Sequence, residues 1–247
     1  MIAPALVVLA LLGAWELYVD LGGVDDLLLA APHQIARSLW EDRSLLASNL
    51  GTTAQEVGLG ILVSLALGLA AAVAMHFSPR LRRALYPLMV ATQAVPPVIV
   101  APLLVFWLGF GVWPKLAIIA VVCFFPVAVT TYDGLAGIDP ELRKLMRTLD
   151  ADRWRAFRLT ELPAALPAAL SGARIAVAVA VIGAVLAEAS GSSSGLGNLV
   201  EKAGPALQTP RAYAAVVVMA AFAVALFAAL GAAERALLHH RPKGPQQ

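Results

Sequence analysis

Six long apolar stretches, separated by clusters of charged and turn-forming residues, constrain this sequence more than any other feature. A helix needs about 20 mostly apolar residues to cross a hydrocarbon core roughly 30 Å thick, and each stretch approaches or exceeds that length. The stretches lack the period-two alternation of barrel strands, and an isolated strand cannot satisfy its backbone in lipid. We therefore predict an all-α polytopic membrane protein with six transmembrane helices, at about Ile2–Val19, Leu50–Phe77, Tyr86–Leu108, Leu116–Tyr132, Leu166–Ala189 and Ala212–Leu230.

The composition agrees with one membrane domain over residues 1–247. Hydrophobic residues make up 60% of the chain and charged residues only 14%, which is too apolar for an ordinary soluble domain. The net charge of +2 is too small to indicate a nucleic-acid partner. Cys123 has no second cysteine to pair with, so no disulfide or thiolate metal site is expected within the chain.

Two segments near the amino end need separate interpretation. Residues Met1–Asp20 have an apolar run but no basic flank and no small-residue cleavage site, so we predict an uncleaved span rather than a signal peptide. Residues Pro32–Ser48 alternate polar and apolar side chains at helical spacing. We predict a short surface helix there, with Ile35, Leu39 and Leu46 on one side.

The distribution of Lys and Arg predicts the orientation, because basic loops are retained in the cytoplasm. One set of loops holds twelve basic residues and the opposite set holds five, which places both termini in the cytoplasm. The larger set comprises Arg80, Arg82, Arg83, Arg143, Lys144, Arg147, Arg153, Arg155, Arg158, Arg235, Arg241 and Lys243. The smaller set comprises Arg37, Arg43, Lys115, Lys202 and Arg211.

The longest predicted cytoplasmic loop, Asp133–Ala165, carries the signals of two short helices. The pair Asp139-Pro140 suits the N-cap and first position of a helix over Glu141–Leu149. Asp150 tolerates the left-handed conformation that a tight turn requires, and Asp152 can cap a second helix. The loop is therefore predicted to hold a helix, a turn and another helix.

An aromatic pair marks the second of these short helices. Trp154 and Phe157 are three residues apart and share a helix face, while arginines occupy the other faces. Such a segment fits a docking element that offers its aromatic pair to a cytoplasmic partner. It fits equally well an amphipathic helix that rests on lipid headgroups. Residue chemistry alone does not separate the two interpretations.

Several motifs together resemble one family of transporters. Leu162-Pro163 and the helices before it resemble the EAA loop of ABC importer permeases, although Lys144-Leu145-Met146 stands at the Glu-Ala-Ala positions, Asp150 at the Gly and Thr160 at the Ile. Three further motifs resemble the nitrate/sulfonate/taurine-type permeases, which include the thiamine-precursor pyrimidine permeases. These motifs are Pro96-Pro97 followed by Pro102-Leu103, the run Trp107-Leu108-Gly109-Phe110-Gly111, and Gly195-Leu196-Gly197.

The resemblance implies a type I ABC importer permease fold and the function of a bacterial inner-membrane import subunit. The implied partners are a second permease copy, cytoplasmic ABC ATPases that carry ATP and Mg, an external binding protein and the lipid bilayer. No cofactor and no metal is expected in this chain itself. The helix Glu141–Leu149 would be the coupling helix, and the ATPase-coupling residues would be Glu141, Leu145, Met146, Asp150, Asp152, Trp154 and Phe157.

Polar and kink-forming residues within the spans indicate a translocation path. Pro96 and Pro97 remove two backbone donors and should kink the third span beside the path, with Gln93 one turn earlier. Glu56 and Glu188 are ionisable groups within spans, where charge is costly. They fit either a role at the outer mouth or hydrogen bonding between helices.

Other functions find less support in the sequence. An ion-coupled secondary transporter is the main alternative, but neither inverted repeats nor paired midplane charges are evident. The run Ser190–Gly195 does not indicate a serine protease, because all four histidines lie outside the span interiors, where no base could be screened from bulk water beside a serine. ATP hydrolysis by this chain is not expected either, since the phosphate-loop motif is missing from the sequence.

The charge pattern also favours one class of substrate. No Lys or Arg lies deep in a predicted span, Arg174 being close to an end, so no fixed cation is available to hold an anion. Glu56 and Glu188 would repel one, whereas Gln93 can hydrogen-bond a neutral solute. Among the small polar solutes that the family resemblance implies, we therefore favour an aminopyrimidine precursor of thiamine over nitrate, a sulfonate or taurine.

Overall fold

The computed structural model describes residues 2–22, 25 and 28–238, and the regular elements in this part of the chain are all helical. They follow one another as α1 (Ile2–Gly22), α2 (Pro32–Glu41), α3 (Arg43–Phe77), α4 (Pro79–Thr92), α5 (Pro97–Leu108), α6 (Val112–Ala136), α7 (Pro140–Thr148), α8 (Arg153–Ala156), the π-helical segment Phe157–Glu161, α9 (Leu162–Ala189), α10 (Leu196–Ala203) and α11 (Thr209–Leu238).

Four helices in the described chain are long and apolar enough to cross a membrane. They are α3, α6, most of α11, and a continuous helix from Arg153 to Ala189 that joins α8, the π-helical segment and α9. The bent pair of α4 and α5 gives a fifth if it counts as one span. Helix α1 coincides with the first predicted span, and its 21 residues extend for roughly 30 Å. The all-α membrane architecture is confirmed, while the number six stays a prediction.

The third predicted span is broken rather than kinked. Helices α4 and α5 meet at 104°, and residues 93–96 form the connection between them. Pro97 is the first residue of α5, and Pro96 before it is extended, with φ −62° and ψ 125°. A proline disfavours the helical conformation in the residue that precedes it, so the chain cannot continue as one helix through Pro96-Pro97.

Helices α3, α6 and α9 form the centre of the fold, with α6 packed against both neighbours. Ile119 and Val127 of α6 are fully buried against Val57 of α3 and the alanines of α9. Small side chains such as Ala176 and Ala180 let the α9 backbone approach α6 closely, which is how membrane helices gain packing energy. Cys123 is also fully buried there.

The predicted surface helix ends earlier than expected. Helix α2 covers Pro32–Glu41 only, and the rest of the predicted segment is the first part of α3. Ile35 and Leu46 are nevertheless buried in one cluster, with the half-buried Leu39 packed against it, although Leu46 lies on α3 and not on one helix with the other two as predicted. At the corner between α2 and α3, Arg211 of α11 donates two hydrogen bonds to Asp42, at 2.8 and 3.0 Å, which hold the pKa of that carboxyl below its usual value.

Candidate coupling and translocation sites

The segment from α7 to α8 has the caps and the turn that the sequence predicts, but the prediction of a second short helix is wrong, because Arg153 begins a continuous helix that runs to Ala189. Asp139 caps α7, because its Oδ1 accepts from the amide two residues further on at 2.8 Å. Asp150 makes the turn in a left-handed conformation, with φ 51°. Asp152 caps α8 by accepting from the amide three residues further on at 2.8 Å. Both caps and the turn are thus confirmed, and the role of the segment in coupling is taken up below.

Most of the predicted coupling residues are accessible on this segment. Leu145 is 53% exposed and Trp154 58% exposed, although both are large hydrophobic side chains. Met146 is half-buried, and Glu141 is exposed, with an ion pair to Lys144 at 3.3 Å. Exposed apolar side chains among charged ones are typical of a surface that binds another protein.

Phe157 is the exception, and its predicted position on the exposed face is wrong. Its side chain is only 3% exposed and packs in a cluster with Leu135 and Ala165. Phe157 begins the π-helical segment, and its ring lies 5.0 Å from the ring of Phe77 at the end of α3. Trp154 stacks on its outer side at 5.5 Å. Phe157 therefore anchors the segment to the helices, and Trp154 alone offers an aromatic surface.

Glu161 links the α7–α8 segment, which we call the coupling segment after its predicted role, to the ends of the spans. The sequence analysis missed this contact. Its Oε2 lies 2.6 Å from Nε2 of His76, at the end of α3, and its Oε1 accepts from Nε of Arg143, in α7, at 2.9 Å. Arg143 also donates to the carbonyl of Leu135 in α6 at 2.8 Å. One buried carboxylate thus ties α3, α7 and the start of α9 together.

A cavity of about 400 Å³ lies beside the break between α4 and α5. Gln93 and Pro97 line it, as predicted for the path, whereas Pro96 does not. The opposite walls come from the middle of α6 and α9, and they are mostly valines with Phe125, Ile175 and the hydroxyl of Thr130. None of the residues that line this cavity in the described chain is charged.

Glu188 lies at the opposite end of α9 from the coupling segment and is fully buried. Its Oε1 accepts from Thr53 Oγ1 of α3 at 2.7 Å, and its Oε2 accepts from the amide of Gly197 at 2.6 Å. A Cβ atom at Gly195, where φ is 108°, would overlap this carboxylate. The Gly-Leu-Gly motif therefore fits around Glu188. This residue hydrogen-bonds α3 and α10 to α9, and it does not line the cavity beside the break between α4 and α5.

Glu56 is also absent from the cavity, because it forms a buried ion pair. Lys115 Nζ donates to its Oε1 at 2.5 Å, and both side chains are about one-tenth exposed. The sequence analysis placed Lys115 in a loop, but the residue belongs to the first turn of α6. Helix α6 begins at Val112, immediately after Gly111, and therefore starts before the predicted span and includes Lys115. The expected repulsion of anions by Glu56 is thereby weakened.

Comparison with known proteins identifies the family and the fold. The family described as the binding-protein-dependent transport system inner membrane component matches residues 64–243. A crystal structure of an amino acid ABC transporter with histidines superposes with a TM-score of 0.64 at 17% identity, covering 80% of this chain and 96% of the other. At that identity the likeness concerns the fold, and it confirms the ABC transporter permease fold.

Two curated relatives are similar over most of their length. The formylaminopyrimidine transport permease protein ThiX of Halalkalibacterium halodurans is 34% identical over 97% of this chain and 96% of its own. The putative aliphatic sulfonates transport permease protein SsuC of Bacillus subtilis is 31% identical over 89% of this chain and 79% of its own. The chain belongs to the binding-protein-dependent transport inner-membrane component family and is the membrane-embedded permease subunit of an ABC importer.

Proposed function

We propose that this permease carries an aminopyrimidine, a neutral or weakly basic heterocycle, through the cavity beside the break between α4 and α5. The observation that carries the proposal is the chemistry of that cavity, which has apolar walls and the amide of Gln93. Thr92 and Thr130 also line it, and because their hydroxyls already donate to backbone carbonyls they can offer only an acceptor oxygen. Ligand sites of this kind use a few polar groups to orient a mostly apolar solute. Within the described residues, the side chain of Gln93 has no hydrogen-bond partner and can therefore bind a ring nitrogen or an amino group.

The absence of positive charge from the cavity lining supports the same class of solute. An oxoanion that enters a low-dielectric passage needs a cation or several donors to replace its water. Lys115, in the first turn of α6, is already paired with Glu56. The similarity to ThiX, a formylaminopyrimidine transport permease protein, points in the same direction as this chemistry. The similarity to SsuC keeps sulfonates as the competing class.

Calorimetry on the binding protein that serves this permease tests the substrate. We expect that protein to bind aminopyrimidines, and to bind nitrate, alkylsulfonates and taurine at least about a hundredfold more weakly. A site built for hydrogen bonds to ring nitrogens leaves buried polar groups unpaired when the wrong ligand binds. An unrelated binding protein is the control for nonspecific heat. Tight binding of a sulfonate or of nitrate, without binding of any pyrimidine, would overturn the proposal.

We also propose that the α7–α8 segment docks on the cytoplasmic ATPase, and that two permease copies form the path. Family membership implies an ATPase and a binding protein as partners. Leu145, Met146 and Trp154 would supply the apolar contacts. The clustering of arginines around this segment supports its placement on the cytoplasmic side. An ion-coupled secondary transporter is not favoured, because the matched relatives are ABC permeases.

Cysteine labelling tests the proposed orientation. In a Cys123→Ala background, we expect cysteines at Ser44 and Ser193 to react with an impermeant reagent added outside, because both positions are exposed and assigned to the outer side. A cysteine at Thr148, exposed on α7, should react only after permeabilisation. The reverse pattern would invert the topology and remove the ATPase from its proposed docking surface.

A further inference from the structure

A second and larger cavity lies at the coupling end of the molecule. It measures about 630 Å³ and is distinct from the cavity beside the break between α4 and α5. The end of α3, the start of α4, and parts of α6, α7 and α8 enclose it. We call it the basic cavity, because its charged and titratable lining residues are His76, Arg82, Arg143, Arg147, Arg153 and Glu161.

Positive charge in the basic cavity is not balanced by the protein. Its single carboxylate, Glu161, is shared between His76 and Arg143. Arg82, Arg147 and Arg153 form no ion pair with any described residue. All three residues are exposed, and they line one space in which the described residues supply no further counter-ion, so the potential there is positive.

Two of these arginines are held in place by neutral groups. Arg82 donates to the hydroxyl of Tyr132 at 3.0 Å. Arg153 donates to the carbonyl of Phe77 at 3.0 Å, and its guanidinium lies 4.8 Å from the centre of the Phe77 ring. These contacts fix the guanidinium groups while leaving their remaining N–H donors available. Planar, pre-oriented guanidinium groups are well suited to bind phosphate oxygens.

We propose that the basic cavity is a phosphate-binding site, filled either by the headgroup of an anionic lipid or by a phosphorylated small molecule. Its volume lies within the usual range for small-molecule sites. A bound phosphate would join Arg82 of α4 to Arg147 of α7 and Arg153 of α8. Occupancy therefore stiffens the connection between the coupling segment and the spans, and it does so independently of the transported solute.

Titration of the full-length chain with inorganic pyrophosphate tests the proposal. The chain is placed in phosphatidylcholine nanodiscs, and binding is measured by calorimetry. The double variant R82Q/R147Q should bind at least about a hundredfold more weakly, at roughly tenfold for each charge-assisted hydrogen bond that is lost. The matched control R80Q/R158Q removes two exposed arginines outside the cavity and should bind as the wild type does. Arg147→Gln alone, at an exposed position, should still lose about tenfold if the double variant is unstable.

Phosphatidylglycerol nanodiscs distinguish the two sources of phosphate. Pyrophosphate binding that falls in these discs assigns the cavity to a lipid headgroup, and undiminished binding assigns it to a soluble ligand. Equal binding by the wild type and R82Q/R147Q, or no binding in phosphatidylcholine, would overturn the proposal. The difference in pyrophosphate binding between the wild type and R82Q/R147Q should persist when the nucleotide-free ATPase is added. Loss of that difference would also overturn the proposal, because the ATPase itself would then fill the cavity.

Discussion

Glu161→Gln is expected to lower transport at least about tenfold while membrane insertion and ATPase binding are retained. The side chain is buried behind the α7–α8 segment rather than on its exposed surface, so the residues that we propose for ATPase docking should keep their positions. What changes is the link to the spans, because Glu161 holds Arg143 of α7 against His76 of α3. Without it, motion of α7 is no longer transmitted to α3.

The size of this effect follows from the burial of the carboxylate. Removing one member of a buried, hydrogen-bonded charge pair costs about 3–5 kcal/mol, and less here because Arg143 is 38% exposed. Glutamine keeps the shape but has one acceptor oxygen for two partners. A tenfold loss of transport corresponds to about 1.4 kcal/mol, which is smaller than the cost of breaking this pair even after the reduction for the exposure of Arg143.

Uptake and ATP hydrolysis by the purified complex, both with the binding protein present, measure the outcome. Glu201→Gln, at an exposed position on α10, is the matched control and should leave both rates unchanged. Trp154→Ala should behave differently from Glu161→Gln, because loss of an exposed docking contact weakens ATPase association itself. Unchanged uptake in Glu161→Gln would show that this carboxylate does not transmit coupling.

Local structure at the coupling segment was predictable from sequence because its causes are local. Asp139 and Asp152 each cap a helix through an amide two or three residues away, and Asp150 adopts the left-handed turn by its own tolerance. The break at Pro96-Pro97 has an equally local cause. Its angle of 104° is not given by the two prolines alone, and α5 also contacts α6 and α9, which are distant in sequence, so only a kink was predicted.

Contacts between distant parts of the chain were not predictable in the same way. His76 and Glu161 are 85 residues apart, and Thr53 and Glu188 are 135 apart. No periodicity within one helix indicates such a partner. Phe157 shows the same limit, since a three-residue spacing put it beside Trp154 but did not show that Phe77 and Leu135 bury it. The apolar stretches predict helices, and the pairing of those helices decides what each polar group does.

Glu188→Ala is expected to lower the thermal unfolding midpoint of the detergent-solubilised permease by about 5–10 °C. The change leaves the amide of Gly197 and the hydroxyl of Thr53 buried without their acceptor, at about 1–3 kcal/mol each. Thr53 also accepts from the amide of Leu196 at 3.0 Å, so its reorientation weakens the start of α10. Glu188→Gln should lie between the wild type and Glu188→Ala, because its amide offers one acceptor where the carboxylate offers two.

Ser193→Ala separates this role from a general effect of changing the loop that follows α9. Ser193 is exposed in that loop and makes no side-chain hydrogen bond with the described residues, so its replacement should leave the midpoint within about 1 °C. Glu188 lies outside the cavity beside the break between α4 and α5, through which we propose that the solute passes. The stable fraction of Glu188→Gln should therefore still transport at close to the wild-type rate. A normal midpoint combined with lost transport in Glu188→Ala would place this carboxylate in the path instead, and its hydrogen bonds to α10 would then not be its main role.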